Sequence, residues 1–224
     1  MITISYIYYN QHQMLSIHKA AWDQHPSGFA QYSLIDDCSP VPIPNFFKRN
    51  DLRIYRIDKD IPWNIAGARN LAFHTAPTDW VLLCDIDHVV STDAIRKISA
   101  LNLKDPNVVY LFRRMTPDGY VGVRAIINIL MNRERFFQIG GYDEDFSGHY
   151  GREETFFAHC LKFHGITEIS CEHITLDWYP RLGATRGLIR DKTLNAAIFD
   201  RKILQLKQRE YKNGPILRFS WSAV

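Results

Sequence analysis

The sequence predicts a single α/β domain, and three observations predict it. Short β-rich apolar runs alternate with stretches of helical periodicity. The 224 residues, 46% hydrophobic and 13% aromatic, suffice for one substantial core. Two aspartates, Asp85 and Asp87, directly follow one apolar run, at the strand end where open α/β sheets bind ligands.

Strands are expected at residues 2–9, 31–35, 52–57, 80–84 and 108–112. Between the second and third, Pro40, Pro42 and Pro44 exclude a regular helix or a central strand, so 39–45 reads as a loop. Asn64 is placed to cap a helix through Ala68, Leu71, Ala72 and Thr75, which Pro77 ends. Ser91 or Thr92 caps a second, with Ala94, Ile95, Ile98 and Leu101 on one face. Residues 121–130 read as extended, Gly140-Gly141 as a break and 142–151 as a polar functional loop. From 153 to 164, Phe156, Phe157, Cys160 and Leu161 keep helical spacing, and Gly165 supplies the stop. A strand at 166–171 follows. Beyond Pro180 a last helix is expected, with Leu188, Leu194, Ile198, Ile203 and Leu204 as its apolar residues.

Composition excludes some functions. A formal charge of +3 is too small to drive nucleic-acid binding by counterion release. The four cysteines, Cys38, Cys84, Cys160 and Cys171, are scattered without a C-x-x-C pair, which points to a reducing, cytoplasmic setting. The N-terminal residues read as a strand rather than a signal peptide, and no run approaches the ~20 apolar residues that cross a bilayer. Residues 201–218 mix basic and apolar side chains, which suits a solvated helix or one peripheral to a membrane.

Asp85 and Asp87 carry the chemistry. Alternate residues of an extended segment point the same way, so two carboxylates face one volume while Ile86 turns inward. Left alone they repel; a hard divalent cation resolves the conflict and leaves coordination positions for phosphate oxygens. A turn with an aspartate helix cap is the other reading of an isolated D-x-D.

Several segments, in order, resemble the family 2 glycosyltransferases. These are Ile7-Tyr8-Tyr9-Asn10, Ser33-Leu34-Ile35-Asp36-Asp37, the A-R-N helix start around Ala68-Arg69-Asn70, and Trp80 through Asp87. Further on, Gly140-Gly141-Tyr142-Asp143-Glu144 followed by Gly151-Arg152-Glu153-Glu154 resembles the family's G-G-F/Y-D-E turn and E-D motif, and is similar to β-1,4-galactosyltransferases there. The resemblance covers residues 2 to 172. It implies a GT-A fold, with a Rossmann-like mixed central sheet flanked by helices, in one domain spanning 1–224. Residues 1–100 would form the nucleotide-sugar half and 101–224 the acceptor half.

The resemblance also implies roles. Tyr8, Asp36, Asp37, Arg69 and Asp85 would bind the nucleotide-sugar, most simply a UDP-sugar, and Asp87 and Asp85 would hold Mn2+ or Mg2+. His173 is the expected third metal ligand, with His88 and His149 as alternatives. Glu154 stands where the family has its catalytic aspartate, one carbon longer, and is the expected base of an inverting transfer; Glu153 and Tyr150 would meet the acceptor. The acceptor stays open among a sugar, a lipid-linked glycan, a protein and a modified nucleic-acid base. Loop 146–151 would close over the donor, and Trp178 and Tyr179 would stack on a sugar or base or join the core. Two other readings remain: a nucleotide-sugar-binding module without catalysis, and a nucleotidyltransferase, though 10–13 lacks the glycine-rich phosphate loop the latter needs.

Overall fold

The computed structural model describes residues 1–44, 49–122, 126–182 and 188–224. β1 (Ile2–Tyr8) leads through α1 (His12–Trp22) to β2 (Ala30–Asp36). β3 (Leu52–Ile57) leads through α2 (Ile65–Thr75) to β4 (Trp80–Asp85). Then come β5 (His88–Val89), α3 (Thr92–Ser99), β6 (Val108–Met115), β7 (Val121–Gly122), β8 (Ile129–Asn132) and α4 (Arg133–Gln138). After these are α5 (Glu153–Phe163), β9 (Thr167–Trp178), α6 (Thr193–Gln208) and β10 (Trp221–Ala223).

Among the described residues these strands make one mixed sheet, ordered β10-β3-β2-β1-β4-β8-β6-β9-β5, with β7 on β6. β3, β2, β1 and β4 run parallel, and β8 runs antiparallel between β4 and β6. The chain leaves β1 toward β2 on one side and reaches β4 on the other. Their carboxyl ends therefore open a crevice, as at any such switch in strand order.

Period-two alternation sends the strand residues to two cores. Tyr6, Leu34, Leu82 and Cys84 pack on one face with Trp22 of α1 and Ile95 of α3. Ile7, Ile35, Val81 and Leu83 pack on the other with Leu71 of α2 and Phe157 of α5. At about 25 cal/mol per Å2 of apolar area, burial on both faces stabilises β1, β2 and β4 at the centre of the molecule.

Several expectations are corrected. Helix α1 was not foreseen: Met14, Leu15, His18 and Trp22 form its buried stripe, but Gln11 gives it no side-chain cap. Asn64 precedes α2 without capping it, and instead donates to Asp37 Oδ1 at 3.3 Å. Ser91, not Thr92, caps α3 through Ala94 N at 3.2 Å. Residues 121–130 are not one extended run, since β7 and β8 are separated by a turn that includes Ile126 and Ile127. The strand expected to end at Cys171 continues to Trp178, past an irregularity where Phe112 pairs with Cys171 but Arg113 with Thr175. In α6, Leu194 and Leu204 are exposed, as is Leu188 before it, and Asn195, Lys202 and Leu206 form the buried stripe. Asn45, the last residue of the proline loop, lies outside the described residues. No described helix is long and apolar enough to cross a membrane.

Candidate active site

A cavity of about 390 Å3 lies over the carboxyl ends of β1, β2 and β4. From the strand ends it receives Tyr9, Asp37, Asp85 and Asp87; Arg69 comes from α2, and Glu153 and Glu154 from the first turn of α5. Tyr150, Trp63 and Arg190 form its outer wall.

Arg69 is the buried centre of this arrangement. Its Nη2 donates to Asp85 Oδ1 at 3.0 Å and to Glu154 Oε1 at 2.8 Å, and its guanidinium lies 5.1 Å from the Tyr142 ring. Burial opposes the charge, but Asp85 and Glu154 outweigh it and hold the guanidinium well above its ordinary pKa. Its Nε and Nη1 have no hydrogen-bond partner among the described residues. Burial raises the Asp85 carboxyl; Arg69 opposes this, and the Glu154 and Asp87 charges add to the rise.

Asp87 behaves differently. Burial pushes its carboxyl up, but the adjacent His88 and the Trp178 indole outweigh that and hold it below the usual carboxylate range. Trp178 Nε1 donates to Oδ2 at 3.2 Å. His88 Nδ1 lies 2.6 Å from Oδ1, too poorly aligned to count as a hydrogen bond. Between the two aspartates, buried His18 reaches from α1 to the Ile86 carbonyl, with Nε2 at 2.7 Å. Burial lowers the His18 pKa to about 4, so near neutrality the ring is uncharged and serves as a hydrogen-bonding post for the turn. The i, i+4 spacing of Met14, His18 and Trp22 was the signal for it.

Asp85 and Asp87 fit a hard divalent cation. Both face the cavity, and Asp87 Oδ1, although 2.6 Å from His88 Nδ1, is buried without a hydrogen-bond partner among the described residues. No cluster of three or more ligating side chains occurs among the described residues, so further positions of a cation here would fall to substrate oxygens and water.

Of the remaining candidates, Asp37, Glu153 and Tyr150 line the cavity. Burial pushes both the Asp37 and Glu153 carboxyls up to about 7. Tyr8 and Asp36 sit behind it. The Tyr8 hydroxyl lies 3.2 Å from His12 Nδ1, and its neighbour Tyr9 takes the cavity position. Asp36 accepts from Ser39 N at 2.8 Å and pairs closely with Arg56, so both oxygens are engaged by the chain itself. His173 is exposed within β9 and does not line the cavity, because the strand runs five residues past it. His149 is also exposed and away from the lining.

The loop before α5 is tied down. Asn195 Nδ2 lies 3.0, 2.9 and 2.7 Å from the carbonyls of Phe146, His149 and Gly151. Gly148 N donates to Pro62 O at 2.8 Å. Buried Lys202 pairs with Asp143 at 2.6 Å and Asp145 at 2.7 Å. Glu144 accepts from Asn70 at 2.8 Å and from the Leu217 amide at 2.7 Å. Four non-glycine residues with left-handed backbone stand in or beside the cavity lining: Asn10 (φ 48°), Cys38 (φ 56°), Trp63 (φ 52°) and Arg152 (φ 78°).

The fold is shared with solved glycosyltransferases. TarS 1-349 of S. aureus, in complex with UDP-GlcNAc, superposes with a TM-score of 0.69 at 11% identity, over 85% of this chain and 61% of that one. GalNAc-T7 with UDP, GalNAc and Mn2+ gives 0.65 at 15% identity, over 94% and 50%. The mannosyltransferase PcManGT of Pyrobaculum calidifontis, with GDP-Man and Mn2+, gives 0.62 at 16% identity, over 96% and 66%. The chain thus spans less than two thirds of the length of each. No curated protein matches by sequence. The model of glycosyl transferase family 2 matches residues 9–158, which is more than half of the chain and carries every carboxylate of the cavity. The chain belongs to glycosyl transferase family 2.

Proposed function

We propose that the protein is a metal-dependent inverting glycosyltransferase that moves a sugar from a nucleotide diphosphate-sugar to a hydroxyl acceptor. The observation that carries this is the convergence of strand-end carboxylates, Asp37, Asp85 and Asp87, with helix-end carboxylates, Glu153 and Glu154, on one cavity in a family 2 chain. A UDP-sugar is the preferred donor. In support, TarS was solved with UDP-GlcNAc and GalNAc-T7 with UDP.

In this reading residues 1–100 hold the nucleotide and 101–224 the acceptor. Asp37 and Tyr9 meet the base, while Asp36, held by Ser39 and Arg56, braces the turn from behind. Asp87 and Asp85 hold Mn2+ or Mg2+, which when bound supplies countercharge to the departing diphosphate. Glu154 accepts the proton of the acceptor hydroxyl as that oxygen bonds to the anomeric carbon and the bond to the phosphate oxygen breaks. Arg69 fixes the carboxylate in place by its 2.8 Å contact. Glu153 and Tyr150 orient the acceptor.

Calorimetric titration of UDP, GDP and their sugar conjugates, with Mn2+ and again with chelator, tests the reading. Metal-dependent binding of one nucleotide class is the expected result. Absence of nucleotide binding by the folded protein with metal present would overturn it.

A further inference from the structure

Trp178 ends β9 and stands against the turn that carries Asp85 and Asp87. Its indole Nε1 donates to Asp87 Oδ2 at 3.2 Å. We infer that Trp178 is a positioning residue for the cation: its N–H holds the Asp87 carboxylate in the orientation in which that group takes the metal. The inference rests on the metal-dependent reading of the site and adds to it a residue outside the cavity lining.

Three features carry it. First, the register of β9 aims the indole. Phe112 pairs with Cys171 and the next residue, Arg113, with Thr175, so β9 takes four steps where β6 takes one. The three added residues are an odd number, and side chains alternate between the faces of a strand, so every residue beyond them changes face. Trp178 thereby joins the face of Arg114 and its partner Leu176, whereas an unbroken strand would aim it the opposite way.

Second, the main chain beside Trp178 is laced to the aspartate turn. β5 pairs antiparallel with the end of β9, with His88 opposite Trp178. Next to this pair Tyr179 N donates to Asp87 O at 2.8 Å. Asp87 is thus joined to the end of β9 through its carbonyl and through its carboxylate.

Third, the ring is wedged, so its N–H keeps its direction. The Arg114 guanidinium lies 4.1 Å from the Trp178 ring centroid. The His88 ring runs nearly parallel to the indole, at 11°, with centroids 6.0 Å apart. On β7, a Cβ at Gly122 would come within 2.7 Å of Arg114 Nε and 3.1 Å of the Trp178 ring, so a larger residue there would push on both.

A carboxylate held by a fixed donor is already ordered when a cation arrives, and loss of such a partner typically costs about 10–100-fold in metal affinity. Packing against Arg114 and His88 needs only an aromatic ring, whereas holding Asp87 needs the N–H. Phenylalanine at this position separates the two roles.

Mn2+ binding to the full chain, followed by electron paramagnetic resonance of the free ion with UDP and with GDP, tests the inference. Thermal unfolding reports the fold of each variant. The wild type is expected to bind Mn2+ with one of the nucleotides, and Trp178→Phe to bind it at least about tenfold more weakly with Tm nearly unchanged. Adding Trp178→Phe to Asp87→Asn should weaken binding no further, because both changes act through one carboxylate.

Two results overturn the inference and leave the metal-dependent reading intact. One is a folded Trp178→Phe protein whose Mn2+ affinity stays within about threefold of the wild type. The other is a loss on Trp178→Phe that is as large in the Asp87→Asn background as in the wild type. If the phenylalanine variant does not fold, the wild type decides: labelled with 15N-tryptophan, its Trp178 indole N–H signal should shift when Mg2+ is added with nucleotide, and an unmoved signal overturns the inference. If the wild type binds no Mn2+ with either nucleotide, the metal-dependent reading falls and the inference falls with it.

Discussion

The two sides of the active-site cavity are built in different ways. On the strand side Asp37, Asp85 and Asp87 stand at or just past the ends of backbone ladders buried on both faces, and β1 and β2 each pair with two parallel neighbours. On the helix side Glu153 and Glu154 depend on a loop fixed by single side chains, Asn195, Lys202 and Glu144, that reach it across long stretches of sequence. A ladder tolerates loss of one side chain because its bonds belong to the main chain. A clamp fails with its residue. The strand side should therefore lose function without stability when mutated, and loss of a clamp residue on the helix side should lose both.

The largest expected effect falls on the chemistry. Glu154→Gln should reduce turnover by about 10²–10⁴-fold while nucleotide affinity stays within a few-fold, as for removal of a general base. Steady-state kinetics beside calorimetry measures both quantities. Asp87→Asn should weaken metal-dependent nucleotide binding by about 100-fold with little change in Tm; a large fall in Tm would break the contrast between the two sides.

Lys202→Met sharpens the same contrast from the opposite direction. It leaves the buried Asp143 carboxylate, whose side chain is only 1% exposed, without its countercharge and with the Tyr211 hydroxyl and the Asp145 amide as remaining partners, and should cost about 3 kcal/mol of stability by urea unfolding. Full stability in this variant would show that the loop does not depend on its clamp.

The smallest effect concerns pH. Burial raises the Glu153 carboxyl from an ordinary 4.5 to about 7. Between those values the folded protein holds a proton that the unfolded chain releases, so stability falls as pH rises through the window. Glu153→Gln should flatten the dependence of Tm on pH from 5 to 7 and leave the variant more stable at pH 8, on the order of 2 kcal/mol. Asp37, raised likewise to about 7, accounts for a remaining slope that Asp37→Asn removes.

The strand side was largely legible in the sequence. Residues 52–57 and 80–84 announce their strands by β-rich runs, and the carboxylates after the latter follow from period two alone. The clamps were not legible, because they rest on polar residues where a sequence reading looks for apolar ones. Asn195, Lys202 and Leu206 share a helix face by spacing, yet two of the three are polar, so Leu194 and Leu204 drew attention and proved exposed. His173 misled for a related reason. The irregularity opposite Phe112 and Arg113 lets the strand continue past it, and nothing local in Glu172-His173-Ile174 marks that. Trp178, at the true strand end, is the residue that reaches Asp87.

The four left-handed residues beside the cavity set a conflict for anyone evolving this protein in the laboratory. Each holds a backbone shape that costs an L-residue roughly 1–2 kcal/mol and that glycine adopts freely. A screen for heat resistance will therefore be drawn to Asn10, Cys38, Trp63 and Arg152. Arg152 immediately precedes the two glutamates, and Trp63 packs against Tyr150 with ring centroids 4.6 Å apart. Glycine at either position would relax the chain and blur the wall it shapes, so variants selected for heat resistance alone would drift toward a sturdier and less discriminating protein.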